Sequence, residues 1–389
     1  MTSTALDRRH TRLNGLRWAR VRLIGTSRTL AEAFDPRHNS LNALRLALAT
    51  LVIVSHAWPI GGFGDDPTLG DLSLGGWAVA GFFAISGFLI TTSRLRSSFS
   101  SYLWRRTLRI FPGLWVCLLV TVILFVPIAA LVEGGGDHVG PSSLLRYLAA
   151  NGVLESSHQD IGGTLDEVPY PGAWNGSLWT LWFEFGCYLL LGGLLVFSRL
   201  RERPGVLVGL FGACALVNVA QAEFSMELPF RLEWAADLGS YFFAGAVLCV
   251  YADRIPASRS LVAISAAVLA AAALTDHVQA VGALPLAFLL IWLGSVLPLQ
   301  AVGRRNDISY GVYIYAFPIQ QLLVLTGAHA LGVLPFTALC ILCTIPLAAL
   351  SWFLVEEPAM KLKRVTPPWT AMRNRMAAQG EADVPQEAV

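Results

Sequence analysis

Charged side chains are scarce in this sequence. Only 14% of its 389 residues are Asp, Glu, Lys or Arg, whereas 55% are hydrophobic, and the mean hydropathy is +0.57. This composition is too apolar for an ordinary soluble protein of the same length. The sequence therefore indicates an integral membrane protein, with the lipid bilayer as a partner and no nucleic acid expected.

Cysteine is also sparse, and it forms no ligand or disulfide pattern. All six cysteines fall within apolar segments: Cys117, Cys187, Cys214, Cys249, Cys340 and Cys343. The last two are one helical turn apart, but no nearby histidine or second cysteine pair accompanies them. We therefore expect neither a disulfide framework nor a metal site, and treat these thiols as small core residues.

We also expect no cleavable signal peptide at the start of the sequence. The first arginines are followed by LNGLRWARVRLIGTSRTLAEAF, which lacks a continuous apolar stretch. This pattern is typical of a basic segment that lies on anionic lipid. We predict that residues 1–40 form such a segment on the cytoplasmic membrane surface.

Long apolar runs are what the sequence does contain. They recur at roughly the 17 to 25 residues that a helix needs to cross a bilayer. The predicted spans, about ten, are 41–60, 74–93, 110–132, 176–197, 204–221, 238–252, 260–275, 280–299, 308–326 and 334–355. The predicted fold class is all-α, a polytopic membrane helix bundle within a domain at 41–360.

The distribution of charge predicts the topology of this bundle. If the spans alternate, only Arg146 and Arg231 of the 28 basic residues lie on the side opposite the others, where 14 of the 26 acidic residues lie. By the positive-inside rule both termini are cytoplasmic. We expect the stretch at about 133–174, rich in Gly, Pro and acidic residues, to be an extracytoplasmic loop. Residues 361–389 are predicted to be a flexible cytoplasmic tail.

Two ionisable residues interrupt the first span, NALRLALATLVIVSHAWPIGG. Arg45 and His56 are eleven positions apart, which is about 20° from three complete helical turns, so both are predicted to face one way. Ionisable groups in a span usually face a polar cavity. The alternatives are an arginine that reaches the cytoplasmic headgroups and a neutral histidine that is hydrogen bonded within the bundle.

Glu184, in SLWTLWFEFGCYLLL, is predicted to be the only carboxylate well inside a span. A buried carboxylate needs a proton or a partner, and His56 and Arg45 are the expected candidates. A structural pair with arginine is one interpretation. Contact with the imidazole, which would orient the ring and stabilise its protonated form, is the other.

Further polar residues lie at the ends of other spans. In YLWRRTLRIFPG, Arg105, Arg106 and Arg109 could clamp the phosphates of a nucleotide-like ligand or only fix the topology. In GFFAISGFLI, Ser86 and Gly87 allow close approach of a neighbouring helix or of an elongated ligand. Tyr310 and Tyr313, with Tyr315, could line a polar cavity or lie at the membrane interface.

The order and spacing of these motifs resemble the acyltransferase-3 family of integral membrane O-acyltransferases. The resemblance covers about residues 40 to 360 and rests on Arg45 and His56, FFAISGFLI, the Arg106 and Arg109 pair, SLWTLWFEFGCYLL, ISYGVYIYAFP and FLVEEP. It implies transfer of an acyl group, most often acetyl, from cytoplasmic acyl-CoA to a hydroxyl of a glycan or glycosylated small molecule. It also implies the cytoplasmic (inner) membrane of a bacterium.

The resemblance assigns roles to single residues. His56 is expected to be the general base, because a neutral imidazole can accept the proton of an attacking hydroxyl. Glu184 would orient it, and the arginines at 45, 105, 106 and 109, with Ser86, would bind acetyl-CoA. Trp179, Tyr310 and Tyr313 are predicted to bind substrate. Two positions depart from the family pattern, because Ala80 and Ala316 stand where many members carry Asp and His.

Two other functions fit buried charges in a helix bundle. A transporter or flippase could use them as a proton-coupled path, although no inverted repeat or matched pair of broken helices is visible. A non-catalytic subunit of an envelope polysaccharide machine would not need His56. The sequence fixes neither the acceptor nor the oligomeric state.

Overall fold

The computed structural model describes residues 28–133 and 139–365. Its α-helices are α1 Leu30–Ala33, α2 Leu41–Gly61, α3 Leu74–Leu95, α4 Phe99–Val120, α5 Val126–Glu133, α6 Pro141–Gly152, α7 Trp179–Leu194, α8 Ser198–Arg201, α9 Gly205–Phe224, α10 Phe230–Val250, α11 Arg259–Leu274, α12 Val278–Val281, α13 Ala283–Val296, α14 Ser309–Leu325, α15 Val333–Ser351 and α16 Glu357–Lys361. The strands β1 Thr68–Leu69 and β2 Leu72–Ser73 form one antiparallel hairpin. The predicted all-α class is confirmed.

Two short π-helical segments join neighbouring helices into long rods. Thr121–Phe125 connects α4 to α5, and Trp352–Glu356 connects α15 to α16. Two 3₁₀ helices, Ala328–Leu331 and Leu362–Arg364, complete the helical structure of the described residues. A π-helical turn shifts the side chains that follow it around the helix axis, and such turns are frequent at functional sites.

Five helical stretches are long and apolar enough to cross a membrane. They are Leu41–Gly61, Leu74–Leu95, Phe99–Glu133, Gly205–Phe224 and Val333–Arg364, and α11 and α13 are shorter apolar helices. Each of the ten predicted spans overlaps a helix. However, α7 and α14 have only 16 and 17 residues, fewer than the roughly 20 that a perpendicular span needs. The five long apolar stretches nevertheless indicate a multi-pass helical membrane protein.

The helix α14 lies at the centre of the bundle and is buried along most of its length. It packs against α2 and α15, and α2 also packs against α3. Glycines bring α3 and α10 together: a Cβ atom on Gly87 would lie 1.8 Å from the Phe242 carbonyl oxygen, and one on Gly245 would lie 2.0 Å from that of Ala84. Only glycine permits such an approach between two helix backbones.

Local signals fix the ends of the helices that hold the polar residues. Gly62 ends α2 in the left-handed conformation, with φ of 73°. The hairpin then reverses the chain through Gly70, with φ of 67°. Ser73 caps the start of α3 by accepting a hydrogen bond from the Gly76 amide. This return loop brings Asp66 back to α2, where it accepts a hydrogen bond from Ser55.

The segment predicted as an extracytoplasmic loop at 133–174 has structure of its own. It contains α6, whose start at Pro141 follows the preference of proline for the first helical turn. The sequence did not predict this helix, because the segment as a whole is rich in glycine and acidic residues. Residues 1–27, 134–138 and 366–389 lie outside the described residues, and with them most of the predicted basic segment and tail.

Candidate active site

His56 lies in the last turns of α2 and lines a cavity of about 250 Å³. Side chains from α2, α3, α7, α10 and α14 surround this space, which we call the His56 cavity. The imidazole is half-buried and packs edge-on against Phe317, with ring centroids 5.5 Å apart. The ring therefore faces the centre of the bundle, and the group is available to a molecule within the cavity.

The two ring nitrogens of His56 have different surroundings. Nδ1 lies 3.4 Å from the hydroxyl oxygen of Ser177. On the other side, a Cβ atom built on Gly75 would lie 3.7 Å from Nε2. Because Gly75 has no side chain, Nε2 faces open space at the start of α3. A donated hydrogen bond from Nδ1 to Ser177 would leave the Nε2 lone pair free to accept a proton.

The carboxylate that interacts electrostatically with this imidazole is Asp66, and not the predicted Glu184. The charge of Asp66 interacts with His56, and Asp66 also lines the cavity. The Ser55 hydroxyl donates to Asp66 Oδ1 over 2.9 Å and accepts from the Gly75 amide over 2.8 Å. These bonds hold the carboxylate in place beside the cavity.

Glu184 has other partners than those predicted. Its Oε1 accepts hydrogen bonds from Ser86, at 3.0 Å, and from Tyr188. No hydrogen bond or ion pair joins Glu184 to His56 or Arg45 among the residues that the structure describes. The cause is the register of α7, which places Thr180 at the cavity and Glu184 one turn further along the helix.

Two of the three predicted substrate-binding residues lie at the cavity. Trp179 and Tyr313 line it, and the Tyr313 hydroxyl donates to the Ser177 carbonyl over 2.8 Å. Tyr310 lies elsewhere on α14. Its hydroxyl donates to the Ile110 carbonyl over 2.7 Å, and the Arg109 guanidinium lies 5.6 Å from its ring centroid. Tyr310 thus belongs to a second polar region.

This second region is a compensated set of four charges, which we call the arginine cluster. Asp307 Oδ2 binds Arg45 Nη1 at 2.7 Å and Arg109 Nη2 at 2.8 Å. Arg109 Nη1 also binds Glu356 Oε2 at 3.3 Å. The π-helical turn at Trp352–Glu356 brings the Glu356 carboxylate to this position. Two guanidinium groups therefore face two carboxylates.

The electrostatics of Asp307 follow from these neighbours. Burial alone would raise the pKa of its carboxyl, but the charges of Arg45 and Arg109 outweigh burial and hold that pKa well below its usual range. The Ser309 hydroxyl donates to Oδ1 over 2.6 Å and acts in the same direction. Asp307 is therefore ionised at neutral pH, and it binds two of the four arginines that were predicted to contact acetyl-CoA.

The other two arginines of this motif differ from Arg109. Arg105 bonds back to its own helix, donating to the Ser101 hydroxyl over 2.9 Å. Arg106 forms no hydrogen bond or ion pair with a described residue, although its Nε is buried. Its titratable neighbours include the phenols of Tyr188 and Tyr102 and the guanidinium groups of Arg105 and Arg109. A buried guanidinium without a carboxylate is an unusual and costly arrangement.

Arg45 and His56 face the same neighbour, as their spacing predicts. Arg45 contacts Asp307, just before α14, and His56 contacts Phe317 within α14.

Ser86 donates a hydrogen bond to Glu184, while Gly87 allows α3 to pack closely against α10. The two positions that depart from the family pattern, Ala80 and Ala316, are both buried among apolar neighbours.

Several polar residues of these two regions were not identified from the sequence. They are Asp66, Ser177, Asp237, Asp307 and Glu356. Asp237 is a second carboxylate within a helix of the bundle, because α10 begins eight residues before the predicted span, at Phe230. Ser177 and Glu356 belong to quoted motifs, so the signal was present there. No group of three or more His, Cys, Asp or Glu residues in 28–133 and 139–365 is arranged to hold a metal ion.

Comparison with known proteins agrees with this arrangement. A family model for an acyltransferase domain, that of acyltransferase-3, matches residues 38–353. An O-acetyl transferase of Shigella phage Sf6 is 31% identical over 317 residues, which cover 79% of this chain and 92% of the relative. Nodulation protein 10 of Rhizobium leguminosarum bv. viciae is 33% identical over 348 residues, 81% of this chain and 91% of the relative. No solved structure matches.

The matched range includes both polar regions except for Glu356, which lies three residues beyond it. The chain is therefore an enzyme, an acyltransferase of the O-acetyltransferase type that transfers groups other than aminoacyl groups. It belongs to the acyltransferase-3 family.

Proposed function

We propose that this protein transfers an acetyl group from cytoplasmic acetyl-CoA to a hydroxyl of a sugar-containing acceptor, with His56 as general base. The observation that carries this proposal is the position of the imidazole, which faces a polar cavity through Nε2 and is joined to Ser177 through Nδ1. The acceptor is a cell-surface glycan or a glycosylated small molecule.

The reaction needs a base because a neutral hydroxyl is a weak nucleophile. The acceptor oxygen attacks the thioester carbonyl carbon while Nε2 of His56 takes its proton. The carbon–sulfur bond then breaks, and the imidazolium returns the proton to the leaving thiolate. The products are the O-acetylated acceptor and free CoA, and the histidine is regenerated.

Asp66 and Ser177 support this base, and Glu184 does not contact it. The negative charge of Asp66 stabilises the imidazolium that forms as the proton is taken. Ser177 holds Nδ1 and thereby selects the tautomer with a free Nε2. Glu184 accepts a hydrogen bond from Tyr188, which in turn interacts with Arg106, and we assign this pair to the route of the donor.

Arg106 is the residue that we assign to the phosphates of CoA. Arg45 and Arg109 are neutralised by Asp307 and Glu356, so they contribute less net positive charge than the sequence suggests. Arg106 has no such carboxylate. A phosphate would supply the missing counter-charge, and guanidinium groups bind phosphate well.

The proposal places the enzyme in the cytoplasmic membrane of a bacterium, with about ten spans and both termini inside. The segregation of basic residues supports this topology, since only Arg146 and Arg231 lie on the predicted outer side. Donor and acceptor then arrive from opposite sides of the bilayer. One named relative, the O-acetyl transferase of Shigella phage Sf6, supports transfer of an acetyl group.

The test combines a deletion strain with a variant of His56. Mass spectrometry of surface glycans and secreted glycosides should reveal an acetyl mass that disappears on deletion and returns with the wild-type gene. His56→Ala should not restore it, and in purified membranes it should release CoA from acetyl-CoA at least about a hundredfold more slowly. His38→Ala, on an exposed histidine, is the matched control.

Two outcomes would contradict the proposal. Full acetylation with His56→Ala would remove the histidine from the chemistry. A wild-type protein that moves a glycan across the membrane without consuming labelled acetyl-CoA would indicate a transporter instead.

A further inference from the structure

A second cavity, of about 520 Å³, adjoins the His56 cavity on the side of α6 and the loop that follows it. We call it the outer cleft. Its walls include the aromatic rings of Tyr170, Trp179, Trp182 and Phe230 together with the polar side chains of Gln159 and Arg231. Its volume is in the range of sites that hold small organic ligands.

The two cavities share part of their walls. Tyr170, Gly176 and Trp179 line both. A Cβ atom on Gly176 would lie 2.4 Å from the ring of Phe317, so a larger residue here would displace that ring. Phe317 in turn packs edge-on against Tyr170, with centroids 5.7 Å apart, and against His56 at 5.5 Å. The cleft therefore leads to the imidazole along a wall of aromatic rings.

The aromatic groups of the outer cleft are more exposed than a core requires. The exposed fractions are 41% for Tyr170, 37% for Trp182 and 58% for Phe230. Trp179, by contrast, is held by neighbours, since its ring lies 4.7 Å from that of Trp234 and 5.8 Å from that of Phe230. Exposed flat faces on a fixed support are typical of a surface that a ligand covers.

Polar groups lie at the edge of these faces. Arg231 binds Glu155, and its guanidinium lies 5.0 Å from the centroid of the Trp182 ring. The side chains of Ser156, Ser157 and Gln159 line the same edge. A ligand that suits this cleft has a flat apolar face for the rings and a rim of hydroxyl groups for the polar edge. A pyranose ring has both properties.

We propose that the outer cleft binds a sugar ring of the acceptor and directs a hydroxyl into the His56 cavity. This inference rests on the proposed function, because it names the site at which that acceptor is held. Trp182 and Phe230 stack on the ring, and the pair of Arg231 and Glu155 contacts its hydroxyl groups. An acceptor without a sugar ring would bind weakly.

The test uses the deletion strain and the glycan that loses its acetyl mass in it. The strain carries the wild-type gene, the double variant Trp182→Ala with Phe230→Ala, or the conservative pair Trp182→Phe with Phe230→Tyr. For the full-length protein in nanodiscs, the double variant should raise the KM for the deacetylated glycan about tenfold. The KM for acetyl-CoA should stay within about twofold, and the conservative pair should recover most of the loss.

A matched control separates binding from membrane anchoring. Phe224 ends α9 and is 80% exposed, so Phe224→Ala also removes an exposed aromatic ring at a helix end. We expect it to leave the KM for the glycan unchanged. An equal effect of Phe224→Ala would show that such rings only anchor the protein, and would overturn the inference.

The failures of the two proposals are distinguishable. If the wild-type gene restores no acetyl group in the deletion strain, the proposed function is wrong, and the inference fails with it. If both the wild-type protein and the double variant restore acetylation, and their KM values for the glycan are equal, only the inference is overturned.

Discussion

The two polar regions of the bundle differ in how their charges are compensated. In the arginine cluster, Asp307 and Glu356 face Arg45 and Arg109 at 2.7 to 3.3 Å. In the His56 cavity, the imidazole has one weak partner at 3.4 Å and a nitrogen that faces open space. The first region has nearly all its charges paired within the protein, and the second has groups that remain available.

This difference separates structure from chemistry. The arginine cluster joins α2, α4, the start of α14 and the π-helical turn at Trp352–Glu356, so its ion pairs hold four parts of the chain together. Because the charges of these guanidinium groups are already compensated, an anionic ligand would gain less from them than from an unpaired arginine. The His56 cavity has no such requirement, because the imidazole can accept a proton in its present surroundings. Arg106 is the exception near the cluster, since it has no carboxylate partner.

Loss of the shared carboxylate should have the largest effect. Asp307→Asn leaves two partly buried guanidinium groups without their common partner, and we expect a destabilisation of about 3 kcal/mol. Unfolding of the full-length protein in mixed micelles, followed by circular dichroism, measures this change. Asp253→Asn, on an exposed loop, should change the stability by less than about 0.5 kcal/mol.

The pH dependence of stability, compared between wild type and Asp307→Asn, tests whether the charge of Asp307 stabilises the fold. Because its folded-state pKa lies below its usual value, its ionised form stabilises the fold above the unfolded-state pKa of about 3.9. That stabilisation is lost as the pH falls through the folded-state value. The difference in stability between wild type and Asp307→Asn should therefore be constant from about pH 8 to 5 and decrease below about pH 4. A difference that disappears by pH 6 would assign the effect to another group.

Asp66 should matter for the rate and little for the fold. Asp66→Asn removes the charge that stabilises the imidazolium, while the amide can still accept the hydrogen bond from Ser55. We expect kcat to fall about a hundredfold and the unfolding midpoint to change little. Steady-state kinetics with labelled acetyl-CoA measures this effect.

The neighbouring residue provides the control for this change. Asp65 is exposed and does not line the cavity, so Asp65→Asn should retain wild-type kcat. If both variants were equally active, the electrostatic role of Asp66 would be wrong. If Asp66→Asn unfolded the protein, the charge of this carboxylate would serve the fold and not the reaction.

The two regions also differ in how far the sequence predicts them. The common face of Arg45 and His56 follows from helical periodicity, which is a local property of α2. The partners of the arginines do not follow from helical periodicity, because Arg45 and Asp307 are 262 residues apart in the sequence and Arg109 and Glu356 are 247 residues apart. Such pairs depend on the packing of distant helices. The ten apolar runs likewise predict helices, but not which of them are long enough to span a bilayer.

Glu184 shows the same limit within the site. Its location in an apolar helix is visible in the sequence, since a single carboxylate stands out among aromatic and aliphatic residues. Its partners depend on how far α7 is shifted along its axis in the bundle, which places Thr180 at the His56 cavity and Glu184 one turn beyond it. Ser86 and Tyr188 then satisfy the carboxylate. This axial position cannot be read from the hydrophobic pattern, because apolar residues lie on both sides of Glu184 along α7.

Arg106 should affect binding of the donor and little else. Arg106→Ala removes the guanidinium that has no carboxylate partner, so we expect the KM for acetyl-CoA to rise about tenfold while kcat changes less. The stability should not fall, because no ion pair is broken. Arg199→Ala, on an exposed arginine of α8, is the control. An unchanged KM would return Arg106 to a role in topology alone.

The smallest effect is expected at Ser177, whose hydroxyl lies 3.4 Å from Nδ1 of His56. Ser177→Ala removes the group that selects the imidazole tautomer, but water within the cavity can replace one weak hydrogen bond. We therefore expect kcat to fall about threefold to tenfold with both KM values unchanged. Ser265→Ala, a buried serine in α11, should have no effect. A loss as large as that of His56→Ala would mean that the serine itself forms a covalent acyl intermediate, with His56 as its base.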